Sequence, residues 1–283
     1  MFLIFFIILF IILTYYLYYI GLFRYIDIIN EQNINFYDNK YINLKRSNLK
    51  RKIIISLTTI PSRINKLKPT LISLLDQTNK VDKIYINIPY KTIKGKKYNI
   101  PEWLNKLHNI KINRVVKDYG PATKLLPVLK KDAIIIVVDD DVIYGSRLVE
   151  DYINMFKKKN CALTTFGAFV KNNHLVDEWP TFMRFREAQY VDILMGHNSF
   201  LVTPEMFPEN VFNFEKAPKE CMWSDDVWFS GWLKHNQIHI YSLGFSFNNI
   251  PMTMFANDPS TSLCSTENIT QHNNNIALKY FNF

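Results

Sequence analysis

The first segment of the chain is uniformly apolar. Residues 2–23 carry no charge and consist almost entirely of Phe, Ile, Leu and Tyr. As an α-helix these 22 residues would be about 33 Å long, enough to cross a bilayer core. Tyrosines, which favour membrane–water interfaces, cluster towards its end: Tyr15, Tyr16, Tyr18 and Tyr19. The pattern predicts an uncleaved single-pass anchor at residues 1–23. A cleaved signal peptide is the alternative, disfavoured by the long apolar stretch and by the lack of a basic start and of a small-x-small site.

Beyond the anchor, short aliphatic runs alternate with segments whose apolar residues recur at helical spacing. Four apolar-rich runs predict strands: Ile53–Leu57, Lys83–Ile88, Ile110–Val116 and Ala133–Val138. The last is continuously aliphatic rather than alternating, which is typical of a buried strand of a parallel sheet. Helical spacing predicts a helix from Ile64 to Leu75, with Ser62 as its N-cap, and another from Ala122 to Lys130. This alternation indicates βαβ units, and hence an α/β domain with a mostly parallel sheet.

The second half of the chain is less regular. We expect strands at Cys161–Phe166, Val191–Met195 and Ser199–Val202, and a helix that runs from Trp223 to His235. Polar, Asn-rich residues 24–51 predict a stem between the anchor and the domain, which leaves residues 52–283 for one domain.

Three consecutive acids, Asp139, Asp140 and Asp141, close the aliphatic run Ala133–Val138. Ligands of open α/β sheets lie beyond the carboxyl ends of the strands, where these acids are expected. Asp139 and Asp141 are two residues apart and point to the same side, which suits one hard divalent cation held between protein and phosphate oxygens. The alternative is a solvated acidic turn.

A second acidic pair, Asp225 and Asp226, stands at the start of the helix expected to end at His235. Acids at a helix N-terminus are favoured by capping and by the helix dipole, which is the structural interpretation of the pair. An acid beside the bulky Trp223 and Trp228 is also suited to serve as a positioned base or substrate ligand.

Charge and cysteine content narrow the function classes. The net charge is +9, but the lysines are scattered in short clusters without a nucleic-acid-binding motif, so no nucleic-acid partner is predicted. The cysteines Cys161, Cys221 and Cys264 follow no metal or disulfide spacing.

No Lys or Arg precedes the anchor, which by the positive-inside rule favours a cytosolic domain. The side of the membrane is left open between a Golgi or ER lumen and a cytosolic or viral-factory face.

Four blocks in order give the chain its resemblance to a known family: Thr58–Arg63, Gly120–Leu125, Asp139–Asp141 and Ser224–Trp228. The chain resembles glycosyltransferases of the GT-A fold that carry an Asp-x-Asp motif, with a layout similar to exostosin-type and family-2 transferases. The resemblance covers about residues 52–245. It implies a Rossmann-like, mixed and mostly parallel sheet flanked by helices, and a nucleotide-sugar donor, with a UDP-sugar expected. It also implies a glycan, glycolipid or glycoprotein acceptor.

The resemblance further implies how the donor is bound. Mn²⁺ or Mg²⁺ would bridge the donor diphosphate to Asp141 and less directly to Asp139, while Asp140 would face the sugar or ribose. Three other side chains are expected to contact the phosphates or the nucleotide: Arg63, Lys124 and Asp118.

For transfer itself, the resemblance implies that a carboxylate of an acidic pair takes the proton from the acceptor hydroxyl when the reaction inverts. By position this residue is Asp226, with Asp225 second. The turn Gly196–Ser199, which contains His197, falls where the family has a donor-sugar and acceptor loop. Retention or inversion is left open.

Two other functions remain as alternatives. A haloacid-dehalogenase-type phosphatase also uses Asp-x-Asp after an apolar strand, with Asp139 as nucleophile and Asp141 as acid, although normally on the first strand of its domain. A non-catalytic, glycan-binding membrane protein is the other alternative, against which the intact set of acids argues because unneeded buried acids are costly.

Overall fold

The structure is a computed structural model, and it describes residues 2–19, 21–176, 188–196, 198–244, 252–253 and 272–283. The helices are α1 (Phe2–Tyr19), α2 (Leu22–Asn30), α3 (Ile34–Ile42), α4 (Lys68–Leu75), α5 (Glu102–Asn105), α6 (Leu148–Lys159), α7 (Asp225–His235) and α8 (His272–Tyr280). The first strands are β1 (Lys52–Thr58), β2 (Lys83–Pro89), β3 (Ile110–Val115), β4 (Ala133–Val138), β5 (Val142–Ile143), β6 (Ala162–Thr164) and β7 (Gly167–Lys171). The remaining strands are β8 (His174–Val176), β9 (Gln189–Val191), β10 (Ile193–Leu194), β11 (Ser199–Val202), β12 (Ile240–Ser242) and β13 (Met252–Thr253).

Eight strands form one mixed, mostly parallel sheet in the order β3-β2-β1-β4-β11-β6-β12-β9. Strand β1 is parallel to β2 on one side and to β4 on the other, and β2 is parallel to β3. Strand β11 runs antiparallel to both β4 and β6, which makes the sheet mixed. The predicted α/β class with a mostly parallel sheet is therefore confirmed.

The central strand β4 is buried on both faces, which explains its unbroken aliphatic sequence. Ile134, Ile136 and Val138 belong to a hydrophobic cluster shared with α4. The intervening residues, among them Ile135 and Val137, belong to a second cluster shared with α7. Because alternate side chains of a strand point to opposite faces, a strand covered on both sides has no polar position.

Two predicted helices differ in the structure, and prolines explain both differences. The first segment is a 3₁₀ turn at Ile64–Lys66 followed by α4, whose first turn accommodates Pro69, so Ser62 is not its N-cap. The second is a pair of 3₁₀ turns, Gly120–Lys124 and Leu126–Val128. Pro127 lacks the backbone N–H that a continuous α-helix needs.

The expected stem, residues 24–51, is not an extended linker, because it contains α3 and most of α2. Ile28, Ile34 and Tyr41 are buried in the hydrophobic cluster that contains α4. The sequence does not indicate this packing, because three buried side chains on two short helices hardly change the composition of an otherwise polar, Asn-rich segment. The boundaries of the three predicted units stay predictions.

Polar contacts hold the same two helices in place. Asp38 of α3 is 2 % exposed and accepts hydrogen bonds from the backbone N–H groups of His108 (2.6 Å) and Asn109 (3.0 Å). The Tyr41 hydroxyl accepts one from the Val81 N–H at 2.8 Å. Buried donors and acceptors are costly unless they are paired. These hydrogen bonds therefore position α3, in addition to the burial of its apolar side chains.

Arg24 of α2 links the start of residues 24–51 to the rest of the domain. Its Nε donates to Asp76 Oδ2 at 3.1 Å, and its Nη1 donates to the Tyr144 carbonyl at 2.6 Å. Burial lowers the pKa of Arg24, although Asp76 acts in the opposite direction. The guanidinium thus joins α2 to the end of α4 and to the loop after β5.

Replacing Arg24 by alanine is expected to lower the free energy of unfolding by about 2–3 kcal/mol, because Asp76 and the Tyr144 carbonyl lose a charged donor. Chemical denaturation of the full chain in detergent measures this change. Arg147→Ala is the matched control: that side chain is 49 % exposed and forms only longer ion pairs of 3.5 and 3.6 Å. Equal losses of unfolding free energy in the two variants would show that the Arg24 contacts do not stabilise the packing of α2 on the domain.

The predicted membrane anchor can be compared with the length and hydropathy of the helices near the N-terminus. In the part of the chain that the structure describes, no single helix is long and apolar enough to cross a membrane by itself. Ile4–Tyr18 and Leu22–Asn30 meet the criterion as a pair, with a bend of 59° between them.

Candidate functional site

The three consecutive acids lie at the carboxyl end of β4, beside the residues that follow β1. Asp140 is 7 % exposed. Its Oδ2 accepts a hydrogen bond from Thr59 Oγ1 at 2.6 Å, and its Oδ1 accepts one from Arg63 Nη1 at 2.6 Å. Because β1 and β4 are parallel neighbours, their carboxyl ends coincide, and the structure brings the first and third sequence blocks together.

The other two acids of the triplet remain partly open to solvent. Arg63 Nη1 also donates to Asp141 Oδ2 at 2.9 Å. The Asp139 and Asp141 side chains are 24 % and 21 % exposed, respectively, against 9 % for Asp140. Asp139 and Asp141 are therefore the members of the triplet that a ligand can reach, while Asp140 is held by the protein.

Lys124 joins the triplet to the second acidic pair. Its Nζ lies 3.0 Å from Asp139 Oδ1 and 3.1 Å from Asp225 Oδ2, and it donates to the Gly196 carbonyl at 3.4 Å. The side chain is only 7 % exposed. The sequence predicts a phosphate contact for Lys124; in the structure its ammonium lies between carboxylates of two distant segments.

Asp225 and Asp226 are the first two residues of α7, and the N-cap is Ser224, whose side chain makes no capping hydrogen bond. Both acids thus stand in the first turn, where the helix dipole favours negative charge. Asp226 Oδ1 is nevertheless buried without a hydrogen-bond partner among the described residues. Helix capping alone does not account for such a group, because a buried unpaired oxygen is costly.

Gly196 closes the cluster on the side of β11. A Cβ at this position would lie 2.5 Å from Asp226 Oδ1 and 2.9 Å from Lys124 Nζ. Only glycine therefore allows the backbone to approach both groups this closely. His197, which follows it, lies outside the described residues.

Burial and crowding of like charges raise the pKa values of these acids. Burial raises the pKa of Asp139 to about 6, with Lys124 opposing it and Asp141 adding to it. Burial and the neighbouring Asp225 raise the pKa of Asp226 to about 8. Burial opposes the charge on Lys124, but the surrounding acids outweigh it and raise its pKa well above the usual range. The ammonium stays charged, whereas Asp226 titrates close to neutral pH.

Tyr144 is a positioning residue of this site that the sequence pattern does not indicate. It is 1 % exposed. Its hydroxyl accepts a hydrogen bond from the Asp139 N–H at 2.7 Å and donates to the Asn198 carbonyl at 2.5 Å. It thereby connects the acid triplet to the turn before β11. A tyrosine shortly after an apolar run looks like an ordinary core residue, so the sequence carried no signal for this role.

Asp118 lies in the turn before Lys124. Its carboxylate accepts hydrogen bonds from the backbone N–H groups of Ile93 (2.8 Å) and Gly120 (2.9 Å), and from the Thr123 hydroxyl (3.1 Å). These bonds give Asp118 a structural task in shaping the turn. A contact with a nucleotide stays a prediction.

The donor set of the site fits a hard divalent cation when a substrate shares in binding it. Among the described residues, no three His, Cys, Asp or Glu side chains are grouped so as to hold a metal ion by themselves. The reachable ligands are the oxygens of Asp139 and Asp141, the kind and number that Mg²⁺ uses when phosphate and water complete its shell. Among the described residues, five carboxyl groups lie around two cationic side chains, Arg63 and Lys124, which favours a further cation.

Comparison with known proteins gives a structural similarity only. No protein-family model matches the chain, and no curated relative matches it. Three solved structures of S. aureus TarS are similar over 69 % of this chain. They are TarS 1-349 in complex with UDP (15 % identity, TM-score 0.45), TarS 1-349 (14 %, 0.43) and TarS (17 %, 0.45). The match spans 58 % of each of the first two chains and 35 % of the third.

Proposed function

We propose that this protein is a metal-dependent glycosyltransferase that moves a sugar from a nucleotide-sugar, with a UDP-sugar expected, to a glycan, glycolipid or glycoprotein acceptor. One observation carries the proposal: buried Lys124 holds an acid of the β4 triplet and an acid of the α7 pair 3.0 and 3.1 Å from a single ammonium. The Lys124 ammonium thereby brings the β4 triplet and the α7 pair, whose surroundings differ, into one site.

The triplet is suited to the donor. Asp139 and Asp141 are partly exposed, and the Arg63 guanidinium lies beside Asp141. Asp139 and Asp141 would hold Mn²⁺ or Mg²⁺, which would supply positive charge to offset that of the departing nucleoside diphosphate. Arg63 adds a fixed cation, which strengthens phosphate binding in a site of low exposure.

The α7 pair is suited to the acceptor. In an inverting transfer the acceptor hydroxyl attacks the anomeric carbon, the carbon–oxygen bond to the diphosphate breaks, and the hydroxyl proton goes to a carboxylate. Asp226 has an Oδ1 without a hydrogen-bond partner among the described residues and a pKa raised by burial to about 8. A base whose pKa lies near the working pH is the most effective kind. Asp225 Oδ2 also lacks a hydrogen bond among the described residues, but it lies 3.1 Å from the Lys124 ammonium, so we assign Asp225 a positioning role.

Calorimetry on the full chain in detergent, against UDP- and GDP-sugars with and without Mn²⁺, tests the proposal. One donor is expected to bind, and only when Mn²⁺ is present. Failure of well-folded protein to bind any donor would overturn the proposal. A covalent phosphate on Asp139 would favour the phosphatase alternative, and glycan binding without nucleotide binding would favour the non-catalytic one.

Asp141→Asn is expected to weaken Mn²⁺-dependent donor binding roughly 30-fold or more, because a charged contact to the cation is lost. Asp132→Asn is the matched control, since Asp132 precedes β4 at its other end and its side chain is 91 % exposed. Wild-type donor affinity in Asp141→Asn would remove the metal assignment. Weakening in both variants would indicate a general effect of lost negative charge.

A further inference from the structure

Among the described residues, the exposed apolar surface is concentrated near the N-terminus. The large apolar side chains of α1 are exposed all around the helix, for example Ile4 (64 %), Phe10 (69 %) and Tyr18 (73 %). A helix that is hydrophobic on every side is stable only when an apolar environment surrounds it. The rest of the described chain does not cover α1, so the environment must come from outside.

The exposed apolar surface continues onto α2. Phe23, Ile26 and Ile29 are 41 %, 43 % and 38 % exposed, whereas Ile28 faces the domain and is buried. Helix α2 therefore has apolar side chains towards the domain and also away from it. Surface helices normally present a polar outer side, so the outer side of α2 calls for a partner.

A bend directs α2 away from the path of α1. Gly21, between the two helices, has a left-handed φ of 78°, a conformation that glycine adopts without strain. The two helices are bent by 59° relative to each other. If α1 is upright in a bilayer, α2 lies closer to the membrane plane than to the membrane normal.

Helix α2 cannot swing away from the domain to bury its outer side elsewhere. Arg24 binds Asp76 and the Tyr144 carbonyl, and Ile28 is part of the cluster that contains α4. Whatever covers Phe23, Ile26 and Ile29 must therefore come to the domain. A bilayer that already surrounds α1 is continuous with this surface and needs no second protein.

We propose that the outer side of α2, defined by Phe23, Ile26 and Ile29, lies in the interfacial layer of a lipid bilayer into which α1 is inserted. The 18 residues of α1 give a helix of about 27 Å, slightly less than a bilayer core of about 30 Å. The apolar side of α2 then extends the buried surface along the headgroup boundary, as interfacial helices do. The domain is held against the membrane rather than suspended on a stem.

This arrangement keeps the acid cluster close to the membrane. Helix α2 packs on α4, and α4 packs on the sheet that carries the acids. With about 10 Å per packed layer, the sheet lies roughly 20 Å from the axis of α2. For the transferase proposed above, an acceptor carried by the same membrane is within reach. This last consequence rests on the proposed function, whereas the docking itself does not.

Lipid-quenching fluorescence tests the docking without any measurement of activity. Variants of the full chain with one added cysteine are made in a Cys264→Ser background, in which the remaining Cys161 and Cys221 are buried. The labelled positions are Ile26→Cys on α2, Leu9→Cys on α1 and Glu209→Cys as the control. Glu209 is matched because it is exposed (80 %) and begins a turn that packs in the cluster of α7, across the sheet from α2.

The chains are reconstituted in phosphatidylcholine vesicles that carry a nitroxide either near the headgroup or deep in the acyl chain. The label at residue 26 is expected to be quenched mainly by the shallow nitroxide, the label at residue 9 by the deep one, and the label at residue 209 by neither. Quenching at residue 26 no stronger than at residue 209 would overturn the proposal. Cross-linking of residue 26 between two chains without lipid quenching would also overturn it, in favour of a second copy.

Discussion

Replacing Lys124 by methionine is expected to be the most destabilising single change at this site. The Lys124 side chain is 7 % exposed, and its ammonium lies 3.0 Å from Asp139 and 3.1 Å from Asp225. Methionine fills a similar volume but leaves these carboxylates without a counter-ion. Removing one partner of a buried ion pair costs about 3–5 kcal/mol. Chemical denaturation of the full chain in detergent measures the loss.

Lys130→Met is the matched control, because Lys130 pairs with Glu209 but both side chains are at least 70 % exposed. Exposed ion pairs contribute about 0–1 kcal/mol, so this variant should be close to wild type. Similar losses in the two variants would show that Lys124 does not hold the cluster together.

The pH dependence of the Lys124→Met variant provides an independent check. Lys124 lowers the pKa values of Asp139 and Asp226, so its removal raises them further. The folded chain then keeps protons that the unfolded chain releases above a pKa of about 3.9, and its stability falls as the pH rises. The loss relative to wild type should therefore be larger at pH 8 than at pH 5.

The parallel half of the sheet was predictable because it depends on local pattern. Strands β1, β2, β3 and β4 all appear within two residues of their expected bounds. Each is rich in apolar residues and has no internal Pro or Gly, and the aliphatic sequences of β1 and β4 reflect their burial on both faces of the sheet. Once the strands are parallel neighbours, Thr59, Arg63 and the acid triplet must lie at one edge.

The contacts between segments distant in the chain were not predictable. Lys124 and Asp225 are separated by about a hundred residues, and nothing in either block indicates that their charges meet. The same holds for Tyr144, whose hydroxyl reaches both Asp139 and Asn198. Arg24 is a similar case, because a basic residue after an apolar segment is ordinarily a membrane-flanking charge. Its ion pair with Asp76 is a tertiary contact that the sequence pattern does not encode.

Asp226→Asn is expected to lower the rate of transfer by about 10²–10⁴-fold, the usual contribution of a general base. Donor affinity should change little, because the amide keeps the shape of the carboxylate and Asp226 lies on the acceptor side of the proposed site. Release of nucleoside diphosphate measures the rate, and calorimetry with Mn²⁺ measures the affinity. Wild-type transfer by this variant would show that another group takes the proton.

The same substitution should stabilise the protein, which separates catalysis from folding. Between about pH 4 and the folded pKa of about 8, the unfolded chain releases the Asp226 proton and the folded chain keeps it. Stability therefore declines as pH rises through this window, and asparagine removes the decline. At pH 8 the melting temperature should rise by on the order of 5 °C, with little gain at pH 4.

Asp225→Asn is the matched comparison, because it removes a partner of Lys124 from the neighbouring position of the same helix. Its melting temperature should fall, since the buried ammonium loses one of its counter-charges. We expect Asp226→Asn to be the more stable variant and also the one that loses more transfer activity. That result would assign proton transfer to Asp226 and positioning to Asp225. Lower stability in both variants would contradict the assignment, because Asp226 would then be a structural partner rather than a strained base.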